Sequence, residues 1–271
     1  MPISSSSTFV AADGDGYELL MGRWSRRLAE EFLDFTGAED AERVLDVGCG
    51  TGNLAFALAS RVRVKELIGI DFSPVYVNYA RSRNQDPLLG FREGDACSLA
   101  FPDSAFDRVL SLLALHFIPR VDLAVAEMRR VARPGGVVGA AVWDSRGGVV
   151  PGRMFWDTAA ALFPSANEER ARQFTRPMTR PGELARAFRS AGLTDVVEKS
   201  LVTRMDFGSF EDLWGPYEGR DGTVAAYLAT LQEADKRRLR EAVERAYLDG
   251  EREGPRSYAA LAWAVKGIVP T

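Results

Sequence analysis

The sequence predicts an α/β protein: a mostly parallel sheet with helices on both faces. Three observations carry that prediction. Val44–Val47 is a short apolar run that meets glycines at once and then a helical pattern from Asn53 to Ala59, the signature of a parallel strand turning into a helix. Two further runs, Glu66–Asp71 and Gly90–Asp95, follow at similar intervals with a helical stretch between them, and each finishes on an aspartate. A fourth run, Arg108–Leu115, is almost continuously apolar, as a central strand covered on both faces must be.

Size and composition leave room for that fold and exclude several classes. A chain of 271 residues accommodates one large α/β domain or a domain with an insertion. Its 46% hydrophobic and 27% charged content is ordinary for a globular protein. The net charge of −4 gives no reason to expect a nucleic-acid partner. The basic cluster Arg237, Arg238 and Arg240 sits among acids and reads as a solvated helix face. No apolar run approaches the roughly 18 residues that span a membrane. Met1–Ser7 lacks the basic and apolar regions of a signal peptide, so residues 1–14 read as a flexible tail and the cytoplasm as the compartment. Two cysteines, Cys49 and Cys97, and the single His116 offer no zinc spacing and no disulfide framework, so no metal is expected.

Taken in order, the elements explain themselves. Tyr17 to about Phe35 reads as helical, with Trp24, Leu28 and Phe32 forming one apolar stripe. After the first strand, Gly48, Gly50 and Gly52 allow positive φ and close approach of a ligand. The helix beyond them aims its free N–H groups at that ligand. The turn does not follow G-x-G-x-x-G, because the third position of that pattern is Asn53. Asp46, two residues before the first glycine, would repel a phosphate and suits a cationic or amine-bearing ligand.

The second strand ends on Asp71, about 20 residues after the glycines, where such folds place a ribose-binding carboxylate. Ser73 then caps a helix that Pro74 opens, and Phe72 can stack on a base. The fourth strand carries His116 and Phe117 at its carboxyl end, facing the ligand crevice by the strand-end rule. Val121–Ala132 is a helix stopped by Pro134-Gly135-Gly136, and Gly136–Asp144 is a fifth strand.

Beyond it the core pattern breaks at Gly147-Gly148 and Pro151-Gly152. A helix around Phe155, Trp156 and Phe163, a helix over Pro181–Gly192 and a strand over Asp195–Met205 follow. Phe210–Tyr217 is an aromatic stretch. Val224 to Leu248 reads as one long amphipathic helix with Leu228, Leu231, Leu239, Val243 and Tyr247 on one side. Ser257–Lys266 is a last strand. No internal repeat and no second independent domain are apparent in the pattern.

Val44-Leu45-Asp46-Val47-Gly48-Cys49-Gly50-Thr51-Gly52 resembles the cofactor loop of class I S-adenosylmethionine-dependent methyltransferases, and the group is similar in its Gly94-Asp95-Ala96 step and its Pro-Gly-Gly-strand unit. The resemblance covers roughly residues 15–146, and the chain looks like the broad bacterial group that includes ubiquinone/menaquinone-biosynthesis enzymes. It implies a Rossmann-like fold with a seven-stranded sheet whose last strand is antiparallel. It also implies a single domain over 15–271, with a core at 40–146 and a helical cap at 147–180 and 207–250. By the same resemblance Asp46 lies near the amino-acid part of S-adenosylmethionine, Gly48, Cys49, Gly50 and Gly52 line it, and Asp71, Phe72 and Ser73 surround the ribose and base. Asp95 and Ala96 meet the adenine, and Leu112 lies beside it.

In related methyltransferases an N-terminal helix folds over the site, and from it Tyr17 and Arg23 are candidates for contacting the ligand carboxylate or the substrate, the alternative being a stripe packed on the sheet with Arg23 in solvent. His116 is either a general base or a packed histidine. Trp143, Trp156 and Trp214 are candidates for the acceptor pocket, with Phe155 and Tyr217 beside them. The expected activity is in-line methyl transfer to an oxygen or carbon of a small organic molecule. The rival readings are a non-catalytic S-adenosylmethionine-binding protein and an NAD(P)-dependent oxidoreductase. No nucleic-acid or membrane partner is implied, and both a monomer and a homodimer fit.

Overall fold

The computed structural model describes residues 7–9, 11–219 and 222–271. Residues 1–6 and 10 of the predicted tail, and residues 220 and 221 of the predicted cap, lie outside them. The strands are β1 (Arg43–Val47), β2 (Glu66–Asp71), β3 (Leu89–Glu93), β4 (Phe106–Leu112), β5 (Ala132–Trp143), β6 (Thr194–Phe207) and β7 (Arg256–Ile268). They form one seven-stranded sheet in the order β3-β2-β1-β4-β5-β7-β6. β1 to β5 pair in parallel, with Val47 opposite Ile70 on one side and Asp46 opposite Leu110 on the other. β7 runs antiparallel to both β5 and β6.

The chain starts at β1 and winds outward to β3, then returns to β4 and β5. The reversal therefore falls between β1 and β4, where α/β sheets open a crevice beyond their carboxyl ends. Helices cover both faces. α2 (Arg23–Thr36), α3 (Asn53–Arg61) and α4 (Pro74–Arg83) pack on one side. α5 (Val121–Val131) and α8 (Glu183–Ser190) pack on the other through Val125, Met128, Leu184 and Phe188. The stripe Trp24, Leu28 and Phe32 is buried as its spacing predicts. Each such side chain contributes roughly 1.5–3 kcal/mol of burial.

A short helix α1 (Gly14–Tyr17) and a π-turn (Glu18–Gly22) lead into α2. The cap comprises α6 (Val150–Leu162), α7 (Ala166–Phe174), α9 (Phe210–Trp214), α10 (Gly222–Leu228) and α11 (Glu233–Leu248).

Four sequence expectations change. β4 ends at Leu112, because Leu113 adopts φ 61° and bends the chain, so His116 sits on a 3-10 turn (Leu115–Phe117) rather than on the strand. β3 ends at Glu93, and Asp95 follows in a turn bridged to Ser98. The long helix over 224–248 is two helices, α10 and α11. The break forms where Thr230 and Leu231 N–H close tight bonds to the Tyr227 and Leu228 carbonyls, while extended Gln232 starts a new helix with Glu233 and Asp235 in its first turn. Leu228 and Leu231 nevertheless face the same core as Leu239 and Val243, which is why the periodicity runs through the break. Finally, residues 7–9 are held: Thr8 donates its backbone N–H to the Phe117 carbonyl at 2.8 Å, and the Phe9 ring meets Tyr76 and Phe117 at 5.8 and 4.8 Å.

Candidate active site

At the carboxyl ends of β1 to β5 lies a cavity of about 340 Å³, within the range of small-molecule sites. Its floor is the glycine turn. Gly48 takes φ 74°, and a Cβ there would stand 2.3 Å from the Cβ of Ala114, so only glycine fits. Gly48 and Cys49 both donate to the Ile70 carbonyl at 2.8 and 2.9 Å, locking the turn onto β2. Gly52 has φ 89° but does not line the cavity. A Cβ there would meet Phe56 and Phe91 at 2.7 and 3.1 Å, so its role is the tight entry into α3.

Three aspartates stand at the tips of neighbouring strands. Asp46 is buried, and neither carboxylate oxygen has a hydrogen-bond partner. Its pKa is raised to about 8, first by burial and then by the charge of Asp71, with the Ala55 N–H offsetting part of this without reaching hydrogen-bond geometry. A buried, unpartnered carboxylate facing a cavity is costly unless a ligand supplies a donor. Asp71 differs: one oxygen accepts the Gly50 N–H at 2.8 Å and the other the Ser73 N–H at 2.8 Å. Burial raises its pKa, and those backbone donors hold the rise down. Asp71 thus fixes the glycine turn and keeps lone pairs for a ligand's hydroxyls. Asp95 accepts the Cys97 N–H at 2.8 Å and lines the outer end of the cavity with Ala96.

Over this floor folds the N-terminal segment. Tyr17 lines the cavity and packs on Tyr76, with ring centroids 5.2 Å apart. Arg23 also lines it, but its guanidinium is already bound: it pairs with Asp212 at 2.9 Å and lies 4.2 Å over the Trp24 ring. It ties α2 to the cap instead of presenting a free charge to a ligand carboxylate.

Glu18 is a contact that sequence reasoning missed. It accepts from Thr51 at 2.5 Å and Asn53 at 2.8 Å, and pairs with Arg26 and with Arg83 at 3.4 Å. Asn53, the residue that breaks the dinucleotide pattern, therefore serves to latch the N-terminal segment onto the glycine turn. No local motif announces Glu18, since the π-turn that aims it is set by packing.

On the β4–β5 side the wall changes character. Leu112, Trp143 and Trp156 line it, whereas Trp214 does not. Trp214 is buried in the cap and donates its indole N–H to Glu218 at 2.6 Å. Phe155 is likewise fully buried, among Trp156, Tyr217 and Tyr227, while Tyr217 reaches the cavity.

His116 lines the cavity, is buried, and has no partner at Nδ1. Burial first, and the nearby Arg176 second, push its pKa down to about 3. It is a neutral imidazole and a weak proton acceptor at physiological pH. Phe72, Ser73, Cys49 and Gly50 complete the wall, with Phe72 half-exposed at the rim.

The comparisons coincide with this floor. Residues 45–139 match the model of the family described as Methyltransferase domain. This segment is similar to a methyltransferase domain. The chain is 42% identical over 97 residues to the Fatty-acid O-methyltransferase of Mycolicibacterium smegmatis, which covers 36% of this chain and 35% of that protein. It is 38% identical over 115 residues to the Demethylmenaquinone methyltransferase of Deinococcus radiodurans, covering 42% and 46% respectively. The chain thus spans between a third and a half of the length of these relatives. A solved structure of Phosphoethanolamine N-methyltransferase 2 from Haemonchus contortus, holding S-adenosylhomocysteine and phosphomonomethylethanolamine, is similar over 95% of this chain and 57% of that one. Its TM-score is 0.62 at 18% identity, a likeness of fold.

The cavity fits S-adenosylmethionine on its own geometry. Asp46 needs a cationic donor, and Asp71 retains acceptor capacity for hydroxyls.

Proposed function

We propose that this protein transfers the methyl group of S-adenosylmethionine to an oxygen or carbon of a small organic acceptor, in the cytoplasm. The observation that carries the reading is the Asp46 carboxyl, buried at the cavity floor with both oxygens unpartnered. An ammonium group beside a positive sulfur satisfies it, whereas a dinucleotide would bring pyrophosphate against an acid. Among the described residues no helix is long and apolar enough to cross a membrane.

When bound, S-adenosylmethionine supplies a methyl group on a positively charged sulfur, open to in-line displacement at carbon. The chain's own residues bind and align. Asp46 accepts from the amino group and Asp71 from the ribose hydroxyls. Asp95 and Ala96 face the base, and Phe72 covers it from the rim. Tyr17 and the latch made by Glu18 close the cavity from above and exclude water. Positioning of this kind can lower a barrier by roughly 7–11 kcal/mol. His116 orients the acceptor through its free Nδ1, and its low pKa leaves alignment, rather than proton abstraction, as the main device.

Calorimetric titration with S-adenosylmethionine, S-adenosylhomocysteine and NADH tests the reading. Micromolar binding of the first two and none of NADH is expected, and the reverse order rejects it. Incubation with S-adenosylmethionine and a metabolite extract should yield S-adenosylhomocysteine. Binding without turnover would point to a non-catalytic role.

A further inference from the structure

The acceptor half of the cavity is largely apolar. Phe117, Trp143, Trp156, Phe174, Met205 and Leu213 line it. Among the described lining residues the arginines are Arg23 and Arg176. Arg23 is neutralised by Asp212, whereas Arg176 forms no ion pair among the described residues.

The guanidinium of Arg176 donates to the Gln173 side-chain carbonyl and lies 4.5 Å over the Phe117 ring. Gln173 is itself buried and donates in turn to Glu169. An amide therefore stands between the guanidinium and Glu169: it holds the guanidinium in place and keeps the carboxylate, whose charge still acts on it, out of direct contact. Beside it lies His116, with Nδ1 buried and unpartnered. A half-buried guanidinium in no direct ion pair, with Glu169 acting on it only from behind Gln173, next to an unsatisfied imidazole nitrogen and aromatic walls, is matched by an anion on an apolar body.

We propose that the acceptor is an apolar carboxylic acid, bound by Arg176 through one carboxylate oxygen and methylated on the other. This rests on the methyltransferase reading above. The carboxylate oxygen forms the new C–O bond, the C–S bond of the donor breaks, and sulfur keeps the electron pair. No proton moves, so no base is required, in keeping with a histidine whose proton affinity is suppressed. The product is a neutral methyl ester that no longer pairs with Arg176, which favours its release.

The test uses octanoate, phenylacetate and 3-phenylpropionate, each beside its primary amide and alcohol, with S-adenosylmethionine labelled in the methyl group. Alkali releases the label of a methyl ester as methanol. Alkali-labile label with the acids alone is expected. Arg176→Gln should raise KM for the acids at least about tenfold, with S-adenosylhomocysteine binding within about twofold of wild type as the sign of an intact fold. Arg176→Lys should recover most of the loss, and Gln173→Glu, which supplies an internal counter-ion, should mimic Arg176→Gln.

Three results overturn the proposal: amides or alcohols methylated as well as the acids, label stable to alkali, or an unchanged KM in Arg176→Gln. If no compound turns over, binding to the S-adenosylhomocysteine complex decides. Acids that bind no better than their amides overturn it as well. Failure of the wild-type protein to bind S-adenosylhomocysteine would instead reject the underlying methyltransferase reading.

Discussion

The two halves of the cavity are built by different rules. The donor half, at the tips of β1, β2 and β3, is made of backbone and short acids: the glycine turn, Asp46, Asp71 and Asp95. The acceptor half, at β4, β5 and the cap, is made of long side chains brought from α6, α7 and α9. The family match covers residues 45–139 and stops before the cap begins. One half presents polar groups at fixed sequence intervals. The other is assembled by tertiary packing, where volume counts more than position. The donor half should therefore respond to changes in charge with little effect on stability, and the acceptor half the other way round.

The largest expected effect is on the cap side. Trp156→Ala removes a buried ring that touches Phe155 and Tyr227. It should cost about 3–5 kcal/mol of unfolding free energy. S-adenosylhomocysteine affinity should stay within about threefold, since distant sites act independently. Denaturant melts and titration check both, and a large loss of affinity would break the division into halves. On the donor side, Asp71→Asn keeps the shape but turns an amide donor toward the Gly50 or Ser73 N–H. S-adenosylhomocysteine affinity should fall about ten- to a hundredfold, because the ribose hydroxyls lose a charged acceptor worth roughly 1–3 kcal/mol. Calorimetry measures it, and an unchanged affinity would remove Asp71 from the ligand site.

A smaller effect sharpens the boundary at His116. Its folded pKa of about 3 lies below the ordinary 6.5. As pH falls below 6.5 the unfolded chain takes up a proton that the folded chain refuses. Stability contributed above pH 6.5 is therefore lost on acidification toward 3. Between pH 6.5 and 5 this amounts to about 1–2 kcal/mol, and His116→Gln should flatten that part of the profile. An identical slope in both proteins would place His116 in contact with solvent.

The contrast also explains what could be read beforehand. The tips of β1 and β2, marked by Asp46 and Asp71, are legible because alternation of apolar runs, glycines and caps is local, as with Ser73 capping α4, whereas Asp95 lies in the turn beyond β3. The bend at Leu113 is not legible, because positive φ in a leucine is imposed by its surroundings, here with the Leu113 N–H bonded to the Ala141 carbonyl. Trp214 and Trp156 look alike in sequence, yet one is sealed in the cap and the other faces the cavity. Arg176 follows no motif. It matters because Gln173 stands between it and Glu169 and no acid pairs with it directly, a property of the folded chain alone.

The account depends most on Asp46, and calorimetry of S-adenosylhomocysteine binding across pH 6–8, in buffers of different ionisation enthalpy, tests it most directly. With a pKa raised to about 8, the carboxyl is protonated in the free protein at pH 7 and must ionise to accept a cationic donor. Close to one proton should be released on binding at pH 7, and affinity should climb about ninefold from pH 6 to 7 and about fivefold from pH 7 to 8. Asp46→Asn should abolish both the release and most of the affinity. A wild-type affinity independent of pH and matched by Asp46→Asn would contradict the account.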